Sequence, residues 1–144
     1  MIHAVLVPID ASERSNRALE YALEVHPDAT ITALHVVDPR KFYSETGIEG
    51  GITTNYDQIR ENYEMQAQKI LEEARETAAA RGVEIETDWT SGGVPRSIVS
   101  YVNEHDIDQI VMGSHGRSGT SRVLLGSVAE TVTRRSPVPV TIVR

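Results

Sequence analysis

The stretch GSHGRSGTSRVLLGS, residues 113–127, combines residue types that suit contact with an anion. It holds four glycines, two arginines and a histidine, and three hydroxyl residues lie between Gly116 and Ser121. The chain has 21 acidic against 14 basic residues and a net charge of -7, yet no acidic residue occurs from Gln109 to Ala129. A glycine-rich segment cleared of negative charge in an acidic protein predicts that a negatively charged ligand binds there.

The position of this segment favours a phosphate group as the anion. It follows a short apolar run and precedes a helical pattern, and the free amides and dipole of a helix N-terminus attract negative charge. Glycines let backbone amides approach such a ligand without obstruction from side chains. A Walker loop is absent, because neither Lys41 nor Lys69 follows a glycine. The dinucleotide fingerprint is also absent, because nine residues separate Gly116 from Gly126.

The composition excludes several classes of protein. The 144 residues include no cysteine, which rules out disulfides, thiolate metal sites and cysteine nucleophiles, and the five histidines have no spacing typical of a metal site. No apolar run approaches the roughly 18 residues of a membrane span and no targeting signal is recognisable, so we expect a cytoplasmic protein. A pI of about 5.2 argues against binding to nucleic acid or to an anionic membrane.

Apolar patterns predict alternating strands and helices in a single domain over residues 1–144. The predicted strands are His3–Asp10, Ala29–Asp38, Val83–Thr90, Ile107–Gly113 and Val138–Arg144. Helices are predicted after Ser12, over Tyr56–Arg81, after Pro95 and from Ser127, where an S-x-x-E capping box ends at Glu130. The polar segment Pro39–Asn55 lacks periodicity and is predicted to be a long mobile loop. This order indicates an α/β fold, a doubly wound parallel sheet with helices on both faces.

The glycine spacing resembles the nucleotide-binding signature of the universal stress protein family. Gly113, Gly116, Gly126 and Ser127 follow the family pattern G-2x-G-9x-G-[ST]. The resemblance extends to the segments VLVPIDASERSNRAL, ALHVVD, IDQIVMGSHGRSGTSRVLLGSVAETV and SPVPVTIVR. It therefore covers essentially the whole chain.

This resemblance implies both a strand order and a ligand. The family's five-stranded sheet has the order 3-2-1-4-5, and it binds an adenine nucleotide, usually ATP, at the carboxyl ends of strands one and four. Those ends are neighbours at the topological switch point, where open parallel sheets generally bind ligands. We expect Mg²⁺ or Mn²⁺ to bridge the phosphates, because the loop supplies little positive charge of its own.

The resemblance also implies roles for individual residues. Asp10 is expected near the ribose hydroxyls and Val36 beside the adenine. Amide and hydroxyl donors to the phosphates are expected from Gly116, Gly126, Ser127 and Val128. The implied site consists of Pro8, Asp10, Val36, Met112, Gly113, Gly116, Gly126, Ser127 and Val128. Alternative roles are open for four of them: Asp10 as a turn residue, Ser127 as a helix cap, and Val36 and Met112 as core residues that also touch the base.

Three further residues of the loop receive weaker roles. His115 is expected to be a solvated loop histidine, and Arg117 and Arg122 to contribute positive potential and no fixed contact. Because Gly116 and Gly126 are predicted to lie in a loop, bulky replacements there are expected to remove binding without unfolding the domain.

No pattern of residues indicates a catalytic centre, since no Ser-His-Asp order or pair of carboxylates flanks the loop. The resemblance implies a regulatory, ATP-binding stress-response protein with at most slow ATP hydrolysis. One alternative is a protein–protein interaction module in which the nucleotide is incidental. Another is an adenylate-transfer enzyme, which the absence of HxGH and SGGxDS signatures disfavours.

The C-terminal strand indicates how the protein assembles. Residues 138–143 are apolar and uncharged, and in the order 3-2-1-4-5 they form an edge of the sheet. The resemblance implies a two-fold homodimer through this strand, together with a protein partner that the sequence does not identify. A monomer is the alternative if Pro137 and Pro139 alone protect the edge.

Overall fold

A computed structural model describes residues 1–41, 56–115 and 125–144 of the chain. Strands and helices alternate along the described residues, as predicted. In chain order they are β1 (Ala4–Pro8), α1 (Glu13–Val25), β2 (Thr30–Val37), α2 (Tyr56–Ala79), β3 (Glu86–Ser91), α3 (Val94–Glu104), β4 (Gln109–Gly113), α4 (Ser127–Arg135) and β5 (Val140–Val143). The predicted loop Pro39–Asn55 is wrong at its start, because residues 39–41 are helical, and its other residues lie outside the described ranges.

The five strands form one parallel sheet in the order β3-β2-β1-β4-β5, which confirms both the fold class and the strand order. The central strand β1 pairs with β2, where Pro8 lies opposite Leu34, and with β4, where Leu6 lies opposite Ile110. Val5, Leu6 and Val7 are fully buried, as expected for a parallel strand covered on both faces.

Alternation of side chains along the strands builds a core on each face of the sheet. The core under α1 and α2 includes Val5, Val7, Leu19, Ala22, Ile31, Ile70, Leu71, Ala74 and Val111. The core under α3 and α4 includes Leu6, Leu34, Ile98, Val102, Ile110, Met112, Ala129 and Val132. No helix in the described ranges combines the length and apolar character that crossing a membrane requires.

Asp108 fastens β4 to the beginning of β1 at the amino edge of the sheet. Its Oδ2 accepts hydrogen bonds from the backbone amides of His3 and Ala4, both at 2.8 Å, and its own amide donates to the carbonyl of Ala4 at 2.8 Å. The bonds from His3 and Ala4 lower the pKa of Asp108 below its ordinary value. A charged side chain thus continues the β1–β4 ladder beyond its last backbone pairing.

At the opposite edge of the sheet, Gly113 at the end of β4 packs closely against α1. A Cβ atom at this position would lie 2.9 Å from the carbonyl carbon of Arg14 and 3.0 Å from the carbonyl oxygen. The first turn of α1 therefore rests directly on the end of β4. Because the contact is with backbone, a side chain at Gly113 would force the helix or the strand to move.

We expect Gly113→Ser to lower the free energy of unfolding by about 1–3 kcal/mol, the usual cost of an overpacked site. Gly93→Ser is the matched control, because a Cβ at Gly93 meets no atom within 4 Å and serine suits the N-cap position that Gly93 occupies. Urea unfolding of both variants measures the difference. Equal stabilities of the two variants would contradict the close packing of α1 on β4.

We expect the stabilising effect of Asp108 to depend on pH. Since its pKa is lowered in the folded protein, its contribution is present above the unfolded-state pKa of about 3.9 and is lost as pH falls through the folded-state value. The stability difference between wild type and Asp108→Asn should therefore be constant near neutral pH and shrink in acid. Urea unfolding at a series of pH values checks this, and a difference that persists unchanged in acid would contradict it.

Candidate functional site

The carboxyl ends of β1 and β4 lie side by side at one edge of the sheet. β1 ends at Pro8 and β4 at Gly113, and the two strands are parallel neighbours. From β1 the chain proceeds to β2 on one side and returns to β4 on the other. The predicted site residues at the ends of these strands are therefore brought together at the switch point of the sheet.

A tight turn connects β1 to α1 and carries Asp10. Oδ1 of Asp10 accepts a hydrogen bond from the amide of Ser12 at 3.0 Å, and the amide of Asp10 donates to Oγ of Ser15 at 3.3 Å. Ser12 caps α1, because its Oγ accepts from the amide of Ser15 at 3.2 Å. Between them Ala11 has a φ of 67°, a left-handed conformation that residues other than glycine rarely adopt. The bond from Ser12 thus orients the half-buried carboxylate of Asp10, and the bonds of Ser12 and Ser15 hold the turn that carries it.

The end of β2 supplies an apolar surface and a carboxylate that is paired with an arginine. Val36 is half-buried and packs on the core under α3 and α4. Asp38 is buried and accepts hydrogen bonds from the amide and the guanidinium of Arg40 at 3.0–3.3 Å. Burial raises the pKa of Asp38, but the bonds with Arg40 and the charge of Lys41 outweigh it, so the pKa is below its ordinary value. Asp38 is therefore ionised beside a cation near this edge.

Ser114 and Gly126, near the two ends of the glycine-rich segment, are in contact. The amide of Gly126 donates to the carbonyl of Ser114 at 2.8 Å, which holds these two described residues of the segment together. A Cβ at Gly126 would lie 2.9 Å from that carbonyl oxygen and 3.2 Å from Cα of His115. Gly126 is therefore packed against backbone, so the expectation that a bulky replacement is harmless to the fold is not supported at this position.

The expectation of a solvated His115 is wrong. The side chain is only 7% exposed, and Nδ1 lies 3.2 Å from Oγ of Ser114, which is also buried. The physical reason is the close approach of Gly126, where a Cβ would lie 3.2 Å from Cα and 3.4 Å from Cδ2 of His115. Met112, two residues before Ser114, is 5% exposed and belongs to the core under α3 and α4.

The predicted capping box at the start of α4 is also wrong. Gly126 is the N-cap, Ser127 is the first helical residue, and no described side chain caps this end of the helix. The amide of Glu130 bonds to the carbonyl of Gly126 at 2.9 Å, so the helix starts one residue earlier than a Ser127 cap requires. Ser127 is exposed, and Val128 is half-buried against the core. The first amides of α4, which have no partner within a helix, therefore follow directly after the contact of Gly126 with Ser114.

Some predicted positions lie outside the described residues. These are Gly116, Arg117 and Arg122, together with residues 42–55 of the predicted loop. Among the described residues, no group of three histidine, aspartate or glutamate side chains could hold a metal ion.

Two residues at the site escaped the sequence-based reasoning. His35 is buried in β2, and its Nδ1 lies 2.8 Å from the carbonyl oxygen of Ile9, next to Asp10. Arg14 contributes the backbone that rests on Gly113. A signal for His35 was available, because a polar ring within the apolar run ALHVV needs a hydrogen-bond partner when the strand is buried. No sequence signal marks Arg14, since its contact is made by backbone atoms.

Together these features provide three kinds of contact at one edge of the sheet. Val36 presents apolar surface, Asp10 presents a held carboxylate that can accept hydrogen bonds from hydroxyl groups, and the start of α4 presents amides and a dipole that favour an anion. A ligand with an apolar ring, hydroxyls and a phosphate matches this set.

Known proteins of similar sequence and structure agree with this arrangement. The sequence model of the Universal stress protein family matches residues 1–144. The chain is 34% identical over 158 aligned residues to universal stress protein YxiE of Bacillus subtilis, and the alignment covers 100% of both chains. Universal stress protein MJ0577 of Methanocaldococcus jannaschii has a similar structure, with a TM-score of 0.80, 28% identity, and coverage of 99% of this chain and 96% of that one.

A universal stress protein solved in complex with cAMP is also similar. Its TM-score is 0.72 at 26% identity, over 99% of this chain and 97% of that one. The family model matches the full length of the chain, and the strand order of the described residues is the one that the family resemblance implies. The chain therefore belongs to the universal stress protein family.

Proposed function

We propose that this protein binds an adenine nucleotide, ATP with Mg²⁺ or Mn²⁺, at the carboxyl ends of β1 and β4, as a regulatory stress-response protein of the cytoplasm. The observation that carries the proposal is the juxtaposition of the Asp10 turn and the end of β4, where Gly126, bonded to Ser114, leads into α4. The glycine spacing of residues 113–127 and the related protein in complex with cAMP support the same ligand class.

Each part of the nucleotide has a proposed set of partners. The adenine lies against Val36 and Met112, and the ribose hydroxyls donate to the carboxylate of Asp10, next to Pro8. Gly113 closes the site from the end of β4. The phosphates and their divalent cation lie at the start of α4, where the proposed donors are Gly116, Ser127 and Val128. The amide of Gly126 already donates to Ser114, so the proposed role of Gly126 is to let the phosphates approach the backbone closely.

The proposed output is a nucleotide-dependent state with at most slow ATP hydrolysis. Asp10 is held in the α1 turn, and Asp38 is paired with Arg40. Neither arrangement resembles a base directed at a nucleophile. A protein partner that reads the nucleotide state is part of this proposal.

We expect Asp10→Ala to weaken binding of ATP by about 1–3 kcal/mol, the cost of removing a hydrogen-bond partner of buried polar groups. Asp10→Asn keeps an oxygen for the amide of Ser12, so it should preserve the turn and the stability but still bind ATP more weakly, because it loses the charge. Isothermal titration with Mg-ATP, together with urea unfolding, measures both effects.

Asp28→Asn is the matched control, since Asp28 is an exposed carboxylate just before β2, at the opposite edge of the sheet. It should bind ATP as wild type does. If Asp10→Asn also binds like wild type, Asp10 is a turn residue and its ligand role is refuted. If wild type itself does not bind ATP, the nucleotide proposal is wrong and an interaction module remains.

We also propose a two-fold homodimer through β5. This strand is an edge of the sheet, and Val140–Val143 are all half-buried in the single chain. The carbonyls of Pro139 and Val143 accept hydrogen bonds from Ile110 and Ser114 on the β4 side. In a regular parallel ladder the amides of Val140 and Ile142 then point to the outer edge, where a second β5 can pair with them.

We expect light scattering at micromolar concentration to give about twice the 15.9 kDa mass of one chain. Ile142→Pro should lower the mass to that of one chain, because it removes an amide on the outer edge. Ile142→Ala loses similar packing but retains the amide, so it should remain a dimer. A wild-type mass of one chain, or an Ile142→Pro variant that stays dimeric, would contradict pairing through β5.

A further inference from the structure

A buried histidine is bonded to the backbone beside the proposed site. His35 lies in β2 and is 9% exposed, and its Nδ1 lies 2.8 Å from the carbonyl oxygen of Ile9. A carbonyl oxygen can only accept, so Nδ1 must carry the proton in this bond. The tautomer of His35 is therefore determined by its partner, and the ring acts as a donor to the main chain.

Ile9, whose carbonyl is bonded to His35, connects β1 to the turn that carries Asp10. Ile9 follows the last residue of β1 and immediately precedes Asp10. Its amide donates to the carbonyl of Leu34 at 2.9 Å, while its carbonyl accepts from His35. Both polar groups of Ile9 are thus bonded to β2, one to backbone and one to a side chain. The amide of Ile9 belongs to the preceding peptide, so the peptide that joins Ile9 to Asp10 is held at its carbonyl by His35 and at its amide by Oγ of Ser15, 3.3 Å away.

The turn that follows depends on such an attachment. Ala11 has a φ of 67°, a conformation that residues other than glycine keep only where the surrounding structure imposes it. On the helix side of the turn, Ser12 and Ser15 provide the constraint through their hydroxyls. On the strand side, the constraint is the pair of bonds at Ile9. Loss of the His35 bond would leave the peptide before Asp10 with only the longer bond to Ser15, so the peptide could rotate and the carboxylate of Asp10 could move.

We propose that His35 is a positioning residue for the nucleotide: its Nδ1–H anchors the carbonyl of Ile9 and thereby holds the carboxylate of Asp10 where the ribose hydroxyls can reach it. This role rests on the proposed function. In it His35 contacts the backbone of Ile9 and not the nucleotide. It predicts that His35 acts only through Asp10. A merely structural histidine would affect stability without this dependence.

Two substitutions at His35 distinguish the effect of its hydrogen bond to Ile9 from the effect of its packing in the core. His35→Asn retains a donor nitrogen at the position of Nδ1, because both atoms are bonded to Cγ, so it should preserve the anchor. His35→Leu fills the space without any donor. Ile31→Val is the control for stability alone, since Ile31 is buried on the same face of β2 near its other end.

The first test uses the protein without nucleotide. Nitrogen NMR of the His35 ring should show the neutral form protonated at Nδ1. Hydrogen exchange of the Ser12 amide, which is bonded to Asp10, should be about tenfold faster in His35→Leu and unchanged in His35→Asn and Ile31→Val. A ring protonated at Nε2 alone, or equal exchange in wild type and His35→Leu, would overturn the anchor.

The second test is titration with Mg-ATP. His35→Leu should bind about tenfold more weakly than wild type, and His35→Asn and Ile31→Val within about twofold of it. In the Asp10→Ala background, His35→Leu should cause no further loss, because the group that it positions is gone. Additive losses in the double variant would refute positioning through Asp10. If wild type does not bind ATP, the proposed function fails, whereas the exchange and NMR results still judge the anchor itself.

Discussion

The first turn of α1 rests on the last residue of β4 at a distance that only glycine allows. With a Cβ at Gly113, backbone atoms of Arg14 would lie 2.9–3.0 Å away. This contact is between segments that more than 90 residues separate in the chain. The pairing of β1 with β4 makes Asp10 and the start of the glycine-rich segment neighbours, and the missing side chain at Gly113 lets α1 pack closely against them.

The rest of the site follows from how this edge satisfies its polar groups. Strand ends leave unpaired amides and carbonyls, and each must find a partner. Side chains supply several of these partners: Asp10 for the amide of Ser12, Asp38 for the amide of Arg40, and His35 for the carbonyl of Ile9. At the amino edge, Asp108 does the same for His3 and Ala4. The turns that carry the proposed site are thus defined by local hydrogen bonds that the sheet itself does not provide.

The start of α4 is different, because no described side chain caps it. The N-cap is a glycine, and Ser127 lies inside the helix, so the hydroxyl next to the proposed phosphate site is not used as a cap. The same segment lacks acidic residues until Glu130, which bonds to Arg134 one turn further along. The first amides and the dipole of a helix favour an anion. The helix start and the distribution of charge along the sequence therefore support the same proposal.

Much of this protein is determined by its sequence alone. Short apolar runs between helical patterns require a parallel sheet covered on both faces, and the glycine spacing of residues 113–127 identifies the family. Local patterns could not reveal the cap at Gly126 or the burial of His115, and they indicate that His35 needs a partner without showing that the partner is Ile9. Each of these depends on a partner supplied by another turn or strand: Ser114 for Gly126, the segment at Gly126 for His115, and Ile9 for His35. Sequence periodicity reports which face of an element is buried, whereas hydrogen bonds between distant segments exist only once the sheet has brought those segments together.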